Sequence, residues 1–180
     1  MLMNVSDSGL LVVDVQERLC PAVDDWQRVL DRVIWLVRLA RQMHVPVMVS
    51  EQYPKGLGRT HPDLVAELPA NVTGEKLHFS CAAEDCLAPF AANQKNQLVI
   101  CGMEAHVCVF QSAVELATQG RSVFVVADAV TSRNPQDKDL ALERMRRHGI
   151  EIVSAEMVAF EWLRRAGTDQ FREISRTLLR

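Results

Sequence analysis

The stretch from Leu98 to Leu116 reads LVICGMEAHVCVFQSAVEL. Its apolar run Leu98-Val99-Ile100-Cys101 has the composition of a buried strand, Gly102 breaks it, and apolar residues at helical spacing resume just past His106. Strand, turn and helix therefore follow one another directly. Cys108 falls at the joint, early in the expected helix. There, unpaired backbone N–H groups and the positive end of the helix dipole favour a thiolate, the form in which cysteine is a nucleophile. Taken alone, the residue reads equally as a small apolar side chain filling space beneath a sheet.

Working outward, Gly9-Leu10-Leu11-Val12-Val13 is a continuous apolar run, as expected of a strand buried on both faces, and Asp14 follows at its carboxyl end. Asp14 alone also reads as a turn cap. Residues 24–43 place Trp26, Val29, Leu30, Val33, Ile34, Val37, Leu39 and Ala40 at spacings of three and four, which predicts an amphipathic helix. Residues 45–50 form a second predicted strand with Glu51 and Gln52 at its end, and residues 53–62 are dense in turn formers. This long loop is either a lid or pocket wall, or a solvated connection. A weak strand over 72–77 carries Lys76, which by composition alone is a surface lysine. A helix is expected over 83–93, interrupted by Pro89.

Beyond the Cys108 helix the alternation continues, with a strand over 122–127 ending at Asp128, a polar connection over 128–133 and a helix over 135–148. A last strand over 150–153 and helices over 154–165 and 170–179 complete the chain. Such alternation predicts an α/β fold: a three-layer α/β/α sandwich around a Rossmann-like, six-stranded parallel sheet, with the first strand central and one domain over residues 1–180. The carboxyl ends of parallel strands line the ligand crevice of an open sheet. Asp14, Lys76 and Cys108 each fall at or just beyond such an end, so all three are expected to converge, and that convergence raises Cys108 above a space-filling role.

With 48% apolar and 24% charged residues, the composition is that of an ordinary globular protein. A net charge of −3 without a basic block points away from nucleic acid and membrane surfaces and towards a small-molecule partner. The N-terminus lacks the charged flank and apolar core of a signal peptide, and the five cysteines, odd in number and unpatterned, read as reduced thiols. A cytoplasmic location is the expectation.

Three segments carry a resemblance to a known family. Leu11-Val12-Val13-Asp14-Val15-Gln16, Gly74-Glu75-Lys76 and Cys101-Gly102-Met103-Glu104-Ala105-His106-Val107-Cys108-Val109 occur in the order found in isochorismatase-like cysteine hydrolases, the superfamily of nicotinamidases and N-carbamoylsarcosine amidohydrolases. SEQYPKGLG and CGMEAHVCV look most like the branch of isochorismatase domain-containing proteins. The resemblance implies the isochorismatase-like hydrolase fold, an Asp14–Lys76–Cys108 triad, a non-proline cis peptide between Met103 and Glu104, and an oxyanion hole made by the N–H groups of Glu104 and Cys108. It implies cofactor-independent hydrolysis of a small amide or related C–N substrate through a thioester, with Asp14 as base and Lys76 holding the charged forms of its neighbours. It also implies a homo-oligomer.

Where metal-binding nicotinamidases carry an Asp-x-His pair, this chain has Glu51-Gln52-Tyr53, so no metal is expected; His61 with a single carboxylate makes a poor site. By position, Gln16, Leu19, Tyr53, Phe79, Ser80 and His106 line the substrate pocket, although each also has a packing or solvation reading. Two other classes of function use the same residues differently. A thiol-based redox or electrophile sensor would use Cys108 without turnover and usually needs a resolving thiol, a role Cys101 on its strand does not fill. A non-catalytic scaffold would tolerate loss of any triad member, which the intact triad argues against.

Overall fold

The computed structural model describes residues 1–179. Six strands, β1 (Ser8–Val13), β2 (Val47–Gln52), β3 (Thr73–Lys76), β4 (Gln97–Met103), β5 (Ser122–Thr131) and β6 (Glu151–Val153), form one parallel sheet in the order β3-β2-β1-β4-β5-β6. The expected six-stranded parallel sheet with a central first strand is therefore the observed one. Between β1 and β4 the strand order reverses direction, which opens a crevice at the carboxyl ends of those two strands.

Alternation along each strand divides the core in two. Leu10 and Val12 of β1 pack with Val49, Val99 and Phe124 against the helices α1 (Trp26–Gln42), α6 (Ala155–Leu163) and α7 (Asp169–Thr177). Leu11 and Val13 face the other way, packing with Met48, Ile100 and Val125 against α4 (Phe110–Thr118) and α5 (Pro135–Arg147). These are the two outer layers of the expected sandwich. Short helices α2 (Pro54–Leu57) and α3 (Pro62–Val65) occupy the stretch expected as an irregular loop. Among the described residues no helix is long and apolar enough to cross a membrane.

Two expectations are corrected. The helix expected over residues 83–93 is absent: two isolated 3₁₀ turns, Asp85–Leu87 and Ala91–Gln94, take its place. Pro89 has no N–H to donate, and the segment lies flat on the sheet, close enough that a Cβ on Gly74 would sit 2.2 Å from the Cys86 carbonyl oxygen and one on Gly9 2.6 Å from that of Ala92. The polar connection expected over 128–133 is largely strand. β5 runs on to Thr131 past an irregularity opposite β4, where register jumps from Ile100↔Val125 to Gly102↔Val130. The intervening bend turns Asp128 outward, where its carboxylate accepts from the Ala155 N–H at the start of α6, and it carries Ser132 and Arg133 towards the crevice.

Candidate active site

Asp14 is the first residue past β1 and has a positive φ of 52°, which turns its side chain into the crevice. Gly102, the β4 partner of Val13, has φ +117° and approaches so closely that a Cβ there would lie 2.0 Å from the Val13 carbonyl oxygen. This contact draws the ends of β1 and β4 together. The Met103–Glu104 peptide bond is cis. One turn of π-helix, Ala105–Val109, follows and leads into α4, with the Glu104 carbonyl accepting from the N–H groups of Val107 and Val109. Cys108 sits in that turn, 5% exposed.

Lys76 closes the arrangement from β3. Its ammonium donates to Asp14 Oδ2 at 2.7 Å, to Gln52 Oε1 at 2.7 Å and to the Phe79 carbonyl at 3.0 Å, so all three of its protons are used. Both side chains of the Lys76–Asp14 pair are fully buried. The other Asp14 oxygen accepts from Ser50 Oγ at 2.7 Å. Cys108 Sγ lies 4.0 Å from Gln52 Oε1, the same atom that receives Lys76. Asp14, Lys76 and Cys108 thus occupy one buried cluster with Gln52 among them.

The charges in this cluster set its resting protonation. Burial opposes the Lys76 charge, but the Asp14 carboxylate beside it outweighs that, so its pKa is held above the ordinary lysine value. Burial, and then the negative charge of Asp14, push the Cys108 thiol up; Lys76 pulls the other way without reversing the shift. The thiol is therefore held towards its neutral form, in contrast to the preformed thiolate expected from the helix start alone.

A cavity of about 500 Å³ opens over Cys108. Gln52, Glu104 and Cys108 line it together with Leu19, Ala22, Leu57, Phe79 and Val107, and with the exposed Arg18 and Arg133. The Isochorismatase domain family model matches residues 8–157, a span that contains every one of these residues. The chain belongs to the isochorismatase family. Isochorismatase family protein 1B of Dictyostelium discoideum is 34% identical over 172 residues, covering 93% of this chain and 84% of that protein. Among solved structures, the MAR1 ribonuclease from Caenorhabditis elegans has a TM-score of 0.91 and 30% identity, covering 100% of this chain and 93% of its own. The YcaC gene product of Escherichia coli, described as an octameric hydrolase of unknown specificity, has a TM-score of 0.85 and 26% identity over 92% of this chain and 83% of its own.

Within this isochorismatase-family fold, Leu19 and Phe79 of the six expected pocket residues line the cavity. Gln16 is buried behind it. Its carboxamide accepts from the Gln52 N–H at 2.8 Å and donates to the carbonyls of Gln52 at 3.0 Å and Gly58 at 2.7 Å, clamping the end of β2 and the end of α2. Tyr53 borders a neighbouring hollow of about 330 Å³ with Lys55, Glu75 and Leu77. Ser80 is buried and accepts from the Ala82 N–H, and His106 Nδ1 meets Ser132 Oγ at 2.9 Å. Glu51 accepts from the Thr60 N–H and Oγ1, each at 2.7 Å, and pairs with Arg59 at 2.9 Å. His61 accepts from the Asp63 N–H and lies against Trp26.

Sequence reading missed four participants. Gln52 was visible only as a strand-end residue, and its bond to Lys76 spans two strands. Arg18 and Arg133 carried no motif. Cys81, just before the stretch expected to be helical, is buried against the cluster, its thiol pushed up to about 12 by burial and then by Asp14. Cys101 belongs to the core on the opposite face of the sheet from Cys108.

Proposed function

We propose that this chain is a cysteine hydrolase that cleaves a small amide or related C–N bond through a thioester, with Asp14, Lys76 and Cys108 as its triad. One observation carries the reading: a fully buried carboxylate–ammonium pair, 2.7 Å apart, beside a cysteine on the floor of a cavity sized for a small molecule. In this cycle the Asp14 carboxylate takes the thiol proton as Cys108 Sγ attacks the carbonyl carbon. The N–H groups of Glu104 and Cys108 hold the resulting oxyanion. Asp14 then passes the proton to the leaving nitrogen, the C–N bond breaks, and an acyl-thioester remains. Water, giving its proton to Asp14, attacks the thioester; the acid departs and the thiol is restored. The balance consumes one water and requires no cofactor.

Lys76 keeps its charge throughout, its ammonium 2.7 Å from Asp14 Oδ2. A raised thiol suits this scheme better than a sensor, because a sensor needs a standing thiolate whereas the hydrolase needs the proton removed only as substrate arrives. That the E. coli YcaC protein is an octameric hydrolase supports both hydrolysis and assembly of this chain with copies of itself. Five free cysteines favour a reducing, cytoplasmic setting. Cleavage of RNA, the activity in the C. elegans protein's name, fits poorly with a net charge of −3 and a cavity of about 500 Å³.

The test is ammonia release from a panel of small primary amides and carbamoyl compounds, with a structured RNA as a parallel substrate. Turnover that disappears in Cys108→Ala and Asp14→Asn, with an acyl adduct on Cys108 by intact mass, supports the reading. RNA cleavage without amide turnover overturns it.

A further inference from the structure

We propose that Ser50 is a positioning residue that acts through Asp14, fixing its carboxylate in the orientation that receives the Cys108 proton. This rests on the hydrolase reading and adds a residue to its machinery. Ser50 carries the one hydroxyl on β2 and is fully buried, following the apolar run Val47-Met48-Val49. A hydroxyl buried in a core costs free energy unless it is hydrogen-bonded, and packing alone would be served by alanine. The hydroxyl at this position is spent on Asp14.

Ser50 grips Asp14 twice. The register pairs Ser50 with Val13, so the Ser50 carbonyl accepts from the Asp14 N–H at 3.1 Å, while Ser50 Oγ donates to Asp14 Oδ1 at 2.7 Å. The first bond holds the backbone of a residue at φ 52°, where the chain leaves β1. The second bears on the carboxylate itself. Aspartate χ2 is a broad, roughly two-fold torsion, and Lys76 alone, bound to Oδ2 at 2.7 Å, would let the group swing about that one contact. A donor on each oxygen sets its plane. The two donors take one lone pair on each oxygen, and the thiol proton arrives at one of those that remain. Ser50 does not line the cavity, so it bears on turnover rather than on substrate binding.

The titratable and charged groups that face Cys108 are Asp14 at the end of β1, Lys76 on β3 and Cys81 in the segment after it, with Glu104, Arg18 and Arg133 around the cavity. Among them, the negative charge of Asp14 pushes the thiol up. The Ser50 O–H dipole, its positive end on Oδ1, offsets part of that charge. Ser50 also meets the Cys81 thiol, a second route by which its loss could be felt at Cys108.

The experiment follows alkylation of Cys108 by iodoacetamide, which needs no substrate, by peptide mass spectrometry in wild type, Ser50→Ala, Asp14→Asn and the double variant. Ser50→Ala is expected to react about 3-fold or more slowly than wild type at pH 8, its profile moved to higher pH, because more of the Asp14 charge then faces the thiol. In the Asp14→Asn background the same change is expected to alter the rate by less than about 1.5-fold. Equal slowing in both backgrounds, as a route through Cys81 or lost packing would give, overturns the proposal, and so does no slowing at all. Ser50→Thr keeps the hydroxyl and should restore the wild-type profile; a Ser50→Thr protein that melts like wild type yet reacts like Ser50→Ala also overturns it. On any amide that wild type turns over, Ser50→Ala is expected to lower kcat about 10- to 100-fold, as loss of one hydrogen bond to a charged group supplies, with KM changed less than about 3-fold. A change confined to KM contradicts the assignment. If wild type turns over no amide while the alkylation cycle behaves as expected, the grip of Ser50 on Asp14 stands and the hydrolase reading alone fails.

Discussion

Lys76→Met isolates the buried ion pair. The substitution keeps an apolar stem of similar length but deletes donors to Asp14 at 2.7 Å, Gln52 at 2.7 Å and Phe79 at 3.0 Å. Asp14, fully buried, is left with the Ser50 hydroxyl as its side-chain partner. Removing one member of a buried pair costs about 3–5 kcal/mol, because the survivor's charge is uncompensated. For a chain of this size, about 2–4 °C per kcal/mol converts this to a fall in Tm of about 6–20 °C. Asp14→Asn is the matching change, since asparagine tolerates the φ of 52° at that position. The double variant carries no orphan charge and should regain about 1–3 kcal/mol relative to Lys76→Met alone. Urea unfolding of the four proteins, with the slope against urea checked for constancy, reads the cycle directly. A loss below about 1 kcal/mol in Lys76→Met, or a double variant no better than the sum of the singles, would refute the claim that the pair is a desolvated charge unit.

Three further outcomes follow from the same geometry. Since the Cys108 thiol is pushed up, its alkylation by iodoacetamide, followed by peptide mass spectrometry, should be slower than that of free cysteine at pH 7 and climb as pH rises past the ordinary thiol range. Lys76→Met should move that profile to higher pH and Asp14→Asn to lower pH; a rate flat from pH 6 to 9 would mean a standing thiolate. Gly102→Ala forces a Cβ to within 2.0 Å of the Val13 carbonyl at a φ of +117°, so a loss of at least about 2 kcal/mol is expected by denaturant unfolding, together with lost activity because the ends of β1 and β4 are pushed apart. Burial opposes the Glu51 charge, but bonds from Thr60 and the Arg59 guanidinium overcome it and hold the folded pKa below the ordinary value. A depressed folded value contributes stability above the unfolded pKa of about 4.3 and loses it as pH falls through the folded one. Glu51→Gln should therefore be less stable than wild type at pH 7, with the gap narrowing as pH drops below about 4; a gap unchanged at pH 3 contradicts the assignment.

What could be read from the sequence was what local pattern encodes. The runs at Leu10–Val13 and Leu98–Cys101 announce strands buried on both faces, because both sheet faces are covered and every side chain must be apolar. The 83–93 segment defeated the same reasoning: its apolar residues suit a helix, but the close approach to Gly9 and Gly74, visible only once the sheet exists, flattens it into separate turns. At the site, Asp14, Lys76 and Cys108 were legible because each ends or follows a strand. Gln16 was legible as near the site but not as a clamp, because its partners Gln52 and Gly58 lie 36 and 42 residues away in the chain. The pairing of Arg133 with Glu104 depends on a bend in β5 that no turn residue marks.

The strand order also explains why this site needs a lysine. β3 and β1 are separated by β2, so Lys76 must reach across two strand spacings, about 9–10 Å, to meet Asp14. A four-carbon stem with a compact ammonium spans that gap within the core, and its three donors turn in different directions. One takes Asp14, one Gln52 from the strand it passes beneath, and one the Phe79 carbonyl of the segment that leaves β3. A single cation thus ties β1, β2 and the exit of β3 at the level of Cys108. The Asp14 carboxylate is held in place by the same contacts that make the Lys76 charge tolerable in the core. Gln52, fixed by Gln16 at its backbone and by Lys76 at its side chain, joins the end of the 53–58 segment to the Asp14–Lys76 pair through one continuous run of hydrogen bonds.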